Sequence, residues 1–465
     1  MGQSNFTWRH FLEGLPFRPR PYQVEAISSW LRNDARGIFA MATGTGKTIT
    51  AVSGVSYLTK TLNRQLKSTL TLVVCPYLHL VDQWAETLRK LGEAPIEACE
   101  SRDLWDVPFF MAMKRMREVP GTSTVVVTTI ATFSSDRFQE ILRTEFGGEI
   151  VAVYDEAHNM GSGYLQQYLL KRAKYRLGLS ATPSRWQDPV GTEALNEYFS
   201  GTVYEIDIKK AISMGILVPY DYKPVLCKMS VTETNAYLEI SDQIGSILKG
   251  REFAELKEQE TLRVGRLLRT RAQILGTISD KQSKFLSDFD ASPRGSQLVY
   301  CSPGSSPTDE SMGRHIEYVR NLLSKIGATT ATYEATTPRH ERKKILRRFE
   351  SGEIEAVLSM RCLDEGVDIP HASVSYFIAS GSNPREFVQR RGRVLRKYEG
   401  KEKATIFDYF AVPAAVSDSQ MSDAQSILRR ELDRAMEIAD SAINRVEALE
   451  ILKGVAVYAG VTIGE

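Results

Sequence analysis

The run Phe39-Ala-Met-Ala-Thr-Gly-Thr-Gly-Lys-Thr-Ile-Thr50 holds the residue types and spacing best suited to chemistry. An apolar stretch leads into Thr43-Gly-Thr-Gly-Lys-Thr48, which reads as a buried strand, a glycine-rich turn and a helix start, together a cradle for phosphate. Gly44 and Gly46 let the backbone take φ > 0 and come close to a ligand, so that successive N–H groups from Thr43 through Gly46 point at phosphate oxygens. Lys47 then brings a point charge to the β- and γ-phosphates, and the Thr48 hydroxyl ligates Mg²⁺. The plain alternative is a glycine turn followed by a lysine, and the core pattern arises by chance in a chain this long on the order of one per cent of the time. One departure stands against a generic loop: Met41 occupies a place usually held by a small Gly or Ala. The loop predicts nucleotide and leaves open the work done with it.

Two further constellations would complete such a site. Val151-Ala-Val-Tyr-Asp-Glu-Ala-His158 is an apolar strand run that ends on paired carboxylates. Asp155 is placed to hold Mg²⁺ through water, and Glu156 to orient or deprotonate the attacking water. Gln389-Arg-Arg-Gly-Arg-Val-Leu-Arg396 puts Arg393 and Arg396 at i and i+3, so on a helix both guanidinium groups leave one face, as arginine fingers for a γ-phosphate would. The alternative for the second is a generic basic surface. Upstream of the loop, Phe17-Arg-Pro-Arg-Pro-Tyr-Gln23 brings a Gln whose amide matches the adenine amino group and ring nitrogen, or else is a Pro-braced turn capping a helix.

The elements that must position these groups follow from periodicity. Strand-like runs alternate with helix-like ones at Thr69 to Cys75, Leu78 to Leu91, Thr124 to Thr128, Ser134 to Leu142, Glu149 to Asp155 and Tyr175 to Ser180. That is the signature of a parallel α/β sheet, in which ligands gather at the carboxyl ends of strands. After Thr202 the pattern becomes a connector, Val203 to Pro219, and then a charged helical region from about Glu233 to Phe289, with the run Lys249 to Arg271 read as a solvated face and a nucleic-acid contact as the alternative. Strand and helix signals resume at Gln297 to Cys301, Glu310 to Ile326, Ala328 to Tyr333, Pro338 to Phe349 and Glu355 to Met360. One long amphipathic helix is expected from Asp418 to Leu452, and the apolar tail Val455 to Ile463 docks either on the protein or on a partner. The expected division is 1–205, 206–292 as connector and helical elaboration, 293–412, and 413–465 as a helical tail.

At 465 residues the chain is too long for one core. With 59 Lys and Arg against 57 Asp and Glu it has almost no net field, which leaves a basic groove open without requiring one. No apolar run approaches bilayer length and no signal peptide is visible near Met1, so no membrane partner and a cytoplasmic location are expected. The five cysteines are scattered, without a C-x-x-C pair, and read as buried small hydrophobes; no protein-held metal is expected beyond the magnesium that arrives with nucleotide.

Thr43 to Thr48, Asp155-Glu-Ala-His158 and Ser180-Ala-Thr-Pro183 resemble motifs I, II and III of superfamily 2 DEAH-type helicases and translocases. Arg361-Cys-Leu-Asp-Glu-Gly-Val-Asp-Ile-Pro370 and Gln389 to Arg396 resemble motifs V and VI, and the resemblance covers about Arg20 to Tyr409. It implies two tandem RecA-like domains, parallel sheets flanked by helices, with ATP and Mg²⁺ in the cleft and a single strand across both tops. Closing on ATP and opening after hydrolysis would give stepping. It further implies that Arg20 and Gln23 read adenine, that Asp368 contacts the nucleotide ribose or couples it to the bound strand while Gly366 lets the backbone pass close, that His158, Ser180, Thr182 and Gln389 couple the sites, and that Tyr77, Thr129 and Arg361 touch nucleic acid. The loop form, the Glu-Gly-Val-Asp-Ile-Pro segment and Arg-Pro-Tyr-Gln are similar to the XPB-type and restriction-translocase branch, which favours DNA over RNA. An ATP-switched scaffold that clamps nucleic acid without unwinding it, and an RNA-stimulated ATPase, stay open as alternatives. Repair, restriction and defence are all compatible settings, and nothing resembles a nuclease.

Overall fold

A computed structural model describes residues 18–144, 147–185, 188–251, 255–334, 336–360, 369–379, 384–414, 418–458 and 461. The chain divides into two compact units, Met1–Ala211 and Ile212–Glu465.

The first unit is built on seven strands: β1 (Arg36–Met41), β2 (Thr69–Cys75), β3 (Ile96–Ala98), β4 (Ser123–Thr129), β5 (Glu149–Tyr154), β6 (Tyr175–Ser180) and β7 (Thr202–Ile206). They pair in parallel in the order β3-β4-β2-β5-β6-β1-β7. Every residue of β2 is buried, as a strand covered on both faces requires, which is why Thr-Leu-Thr-Leu-Val-Val-Cys shows no exposed polar alternation. Helix α1 (Pro21–Arg32) precedes β1, while α2 (Lys47–Arg64) and α3 (Leu78–Lys90) lie in the connections that follow β1 and β2. Trp30 of α1 is fully buried and donates its indole N–H to the Arg176 carbonyl at 2.9 Å, fixing the helix to β6. Expected strands appear within a residue or so of their limits, except that Val203 to Ile206 lies in edge strand β7 rather than in a connector.

The second unit carries β8 (Tyr220–Lys228), β9 (Gln297–Tyr300), β10 (Thr330–Tyr333), β11 (Ala356–Ser359), β12 (Val374–Phe377) and β13 (Ala404–Val412), again parallel, in the order β10-β11-β9-β12-β13-β8. β8 comes from the stretch between the expected connector and the helical region. Pro224 lies within it and has no N–H to give, which suits an edge strand. The charged region forms α4 (Val231–Leu248), α5 (Glu258–Gly276) and α6 (Ser279–Ala291). α6 is part of the sheet's own core, since Phe285 and Phe289 pack with Val299 and Tyr376. α7 (Pro384–Val394) precedes β13.

The single C-terminal helix is corrected to two, α8 (Asp418–Asp440) and α9 (Arg445–Tyr458). Asn444 causes the break: its side-chain amide accepts from Tyr222 N at 2.8 Å and donates to Tyr222 O at 2.9 Å, satisfying backbone groups of edge strand β8. Val455, Ala456 and Val461 of the apolar tail are buried, while Val457 is 82% exposed, so the described part of the tail docks mainly on its own chain.

Candidate active site

The parallel sheet of the first unit brings every motif of that half to the carboxyl ends of its strands. The glycine loop follows β1, Asp155 follows β5, and Ser180 ends β6, which lies between them in the sheet. Gly44 and Gly46 take φ of 88° and 80°, and a Cβ on Gly46 would fall 2.8 Å from the Gln23 amide nitrogen, so glycine is needed there for both conformation and space. Tyr22 and Gln23 brace the loop from α1: the Tyr22 hydroxyl donates to the Thr45 carbonyl at 2.7 Å, and Gln23 Nε2 lies 3.5 Å from the Gly46 carbonyl. Gln23 Oε1 accepts from Arg20 N at 2.8 Å, so this amide caps its own helix as well as touching the loop. Arg20 itself is exposed at the helix start. Thr43 and Thr45 are buried, and the Thr45 hydroxyl closes the turn on the Ala42 carbonyl at 2.7 Å.

Met41 is resolved by the strand it ends. Its side chain is wholly buried while its carbonyl accepts from Lys47 Nζ at 3.0 Å, a contact that any residue's backbone supplies. Lys47 and Thr48 open α2, whose cap residue Gly46 offers no side-chain acceptor to the first-turn N–H groups.

Asp155 is 5% exposed. Its Oδ2 accepts from the indole N–H of Trp84 in α3 at 2.7 Å, and its Oδ1 from the Glu156 N–H at 2.9 Å. Burial pushes this carboxyl up from its ordinary range, with the Trp84 indole, the Lys47 ammonium and the Glu156 N–H acting against the rise. A carboxylate so buried, with the Lys47 ammonium acting on it and a glycine loop on the same sheet edge, fits a site for polyphosphate with a divalent cation. Glu156 sits at φ 44°, a left-handed conformation costing on the order of 1–3 kcal/mol for a non-glycine residue. Asn159 holds it there, donating from its side chain and its N–H to the Glu156 carbonyl, each at 3.0 Å.

From Glu156 a polar chain runs to the end of β6. Glu156 Oε2 is 3.5 Å from His158 Nδ1, His158 Nδ1 is 3.2 Å from Ser180 Oγ, and Ser180 Oγ accepts from the Thr182 N–H at 3.1 Å. Arg185 backs this chain, donating to the His158 carbonyl and, at 2.6 Å, to Asp188. Tyr77, 45% exposed, caps α3 and stacks on His79, while the Thr129 hydroxyl caps the short helix after β4. Both stand on the same sheet edge as the loop, at other strand ends, and neither joins the polar chain.

In the second unit, Gln389 and Arg393 lie on α7 and are 3% and 1% exposed. The expectation that Arg393 and Arg396 share a helix face is corrected: α7 ends at Val394, because the Leu395 carbonyl accepts from the Val218 N–H at 2.8 Å and Arg396 pairs antiparallel with Leu217. Arg361, Gly366 and Asp368 lie outside the described residues. Trp84, Tyr22 and Arg185 were not among the residues read from sequence as functional. The signal for Trp84 was present: a Trp on the buried stripe of an amphipathic helix must find an acceptor for its N–H.

Loop, carboxylate pair and parallel sheet define a phosphate-loop ATPase of the tandem RecA-like kind. Two families match in succession, the type III restriction enzyme res subunit over residues 16–185 and the helicase conserved C-terminal domain over 281–398. The chain is 25% identical over 395 residues to the DNA 3'-5' translocase XPB2 of Sulfurisphaera tokodaii, covering 81% of this chain and 78% of that protein. It is 26% identical over 417 residues to the general transcription and DNA repair factor IIH helicase/translocase subunit XPB1 of Arabidopsis thaliana, covering 85% of this chain and 47% of that one. Against a putative DNA 3'-5' helicase Rad25 of Haloarcula marismortui it is 23% identical over 396 residues, 82% of this chain and 51% of the relative. The chain thus spans most of the first relative and about half of the other two. In fold it is similar to the ATP-dependent Type ISP restriction-modification enzyme LlaBIII bound to DNA, with a TM-score of 0.62 at 16% identity over 97% of this chain and 33% of that one. Together these matches support a superfamily 2 helicase or translocase similar to XPB-like and restriction-translocase-like proteins.

Proposed function

We propose that the protein is a DNA-dependent ATPase that couples ATP hydrolysis to movement along DNA or to its unwinding, working in the cytoplasm. The observation that carries the coupling is the polar chain from Glu156 through His158 and Ser180 to the Thr182 N–H, which joins the hydrolytic carboxylate to the end of β6. In this reading Thr43 to Gly46 present N–H groups to the β- and γ-phosphates, Lys47 adds charge, and Thr48 and Asp155 hold Mg²⁺. When bound, the metal neutralises charge on the β- and γ-oxygens. Glu156 accepts a proton from the water that attacks the γ-phosphorus, while the bond to the bridging oxygen breaks and ADP leaves with that oxygen. Arg20 and Gln23 adjoin the adenine, Gly366 and Asp368 the ribose, and Arg393 and Arg396 act as arginine fingers. Gln389, like His158, Ser180 and Thr182, serves in coupling, and Tyr77, Thr129 and Arg361 contact the strand.

The test is ATP turnover with single-stranded DNA, duplex DNA and RNA, beside a strand-displacement assay with labelled DNA. DNA-stimulated turnover that disappears in Glu156→Gln is expected. Stimulation by RNA alone would transfer the reading to RNA, and DNA-stimulated turnover with no displacement of strand or bound protein would leave an ATP-switched clamp.

A further inference from the structure

α8 grips α7 through buried charges. Arg434 of α8 lays its guanidinium over the Phe387 ring of α7, 4.0 Å from the centroid, and over Phe410 at 5.4 Å. It donates to both carboxylate oxygens of Asp408 at 3.3 Å and to Glu431 at 3.0 Å. Asp408, fully buried on β13, also accepts from the Tyr222 hydroxyl of β8 at 3.0 Å. One turn along α8, Glu437 stands 3.7 Å from Arg391 of α7. Arg391 also donates at 3.3 Å to the Tyr220 hydroxyl, which in turn donates to the Ile438 carbonyl of α8.

Such a cluster is a poor way to gain stability, because desolvating an arginine and two carboxylates costs about as much as their attraction returns, and an apolar set of similar volume would serve as well. What it supplies is one fixed placement. A planar guanidinium locked by Asp408 and Glu431 can face Phe387 in only one orientation, and Phe387 lies six residues before Arg393 on the same helix. The contacts between α8 and α7 fall on Phe387 and Arg391, flanking Gln389 on the helix that carries Arg393.

We propose that Arg434 and Glu437 make α8 a brace that positions α7, and through it Arg393, so that α8 is a required part of the ATPase apparatus. This rests on the reading of Arg393 as a finger. Arg434 touches no substrate in this scheme and acts only through α7.

The experiment compares full-length Phe387→Leu, Glu437→Gln and the neutral exchange Arg434→Met with Asp408→Asn and Glu431→Gln, which leaves neither buried carboxylate stranded. Each is measured for melting temperature, Kd for a labelled ATP analogue, and DNA-stimulated kcat, alone and in an Arg393→Ala background. Folded Phe387→Leu and the neutral exchange should lose about ten-fold or more in kcat with Kd changed less than about two-fold, and Glu437→Gln, whose side chain is 60% exposed, a smaller loss in the same direction. In the Arg393→Ala background the same changes should cost under about two-fold more, since the group they position is gone. Unchanged kcat in the folded variants, or the full loss repeated in the Arg393→Ala background, overturns the brace while leaving the finger intact. Wild-type kcat in Arg393→Ala itself overturns the finger, and the brace with it.

Discussion

Replacing Trp84 by Phe removes one hydrogen bond and keeps an aromatic ring in the same slot. The indole N–H meets Asp155 Oδ2 at 2.7 Å, and both residues are buried, so water does not take over the lost contact. A bond to a charged acceptor contributes roughly 1.5–3 kcal/mol, and leaving the acceptor unsatisfied costs a similar amount. The remaining donor given to Asp155 is the Glu156 N–H on Oδ1, which leaves the carboxylate free to turn about its terminal torsion. Removing the partner that orients a metal-ligating group typically costs about 10–100-fold in metal affinity, in line with that energy. The expected result is that nucleotide affinity without Mg²⁺ is unchanged, while the gain in affinity on adding Mg²⁺ shrinks about ten-fold or more, with a melting temperature lower by several degrees. A labelled ATP analogue titrated with Mg²⁺ and with EDTA reads the first two quantities, and calorimetry the third. If the melting temperature drops but Mg²⁺ tightens the nucleotide as in wild type, Trp84 is a packing residue and Asp155 is oriented by something else.

Lys47→Ala should abolish hydrolysis, since the loop loses its charge opposite the phosphates, and wild-type turnover in that variant would place the site elsewhere. Glu156→Gln keeps size and hydrogen-bonding capacity but removes the base, so ATP should still bind, hydrolysis should stop, and single-stranded DNA should bind more tightly with ATP than without. Linkage then requires DNA to tighten ATP by the same factor, and anisotropy showing no mutual effect would remove the coupling mechanism. His315 tests the second unit: burial, with Lys281 adding to it, pushes its pKa down to about 3, while Nδ1 accepts from Ser302 N. The unfolded chain therefore takes up the proton first as pH falls below the ordinary histidine value of about 6.5, and stability present above that pH is lost at about 1.4 kcal/mol per unit toward pH 3. Urea midpoints at neutral and mildly acidic pH should show this slope in wild type and a flatter one in His315→Gln, and equal slopes would refute it.

What the sequence made legible were groups whose role depends on neighbours in the chain. The glycine loop, the carboxylate pair and the inner strands of the first sheet, though not its edge strands β3 and β7, follow from local pattern, and Gly46 at φ 80° is the conformation that its place in the loop demands. What it hid were contacts between distant residues. Trp84 and Asp155 are 71 positions apart, Tyr222 and Asn444 are 222 apart, and nothing local at either end names its partner. The two misread helix ends share that cause: α7 stops at Val394 because Val218 claims the Leu395 carbonyl, and the C-terminal helix breaks where Asn444 meets the edge of β8. β8 itself was the missing piece. Tyr220 and Tyr222 alternate inward as a strand should, but Pro224 in a short run argues against a central strand. Recognised as an edge, the same proline becomes consistent, and it puts Tyr220 and Tyr222 where they hold Arg391 and Asp408. The connection from the expected linker region to the arginine helix thus runs through a strand that periodicity alone assigns to no element.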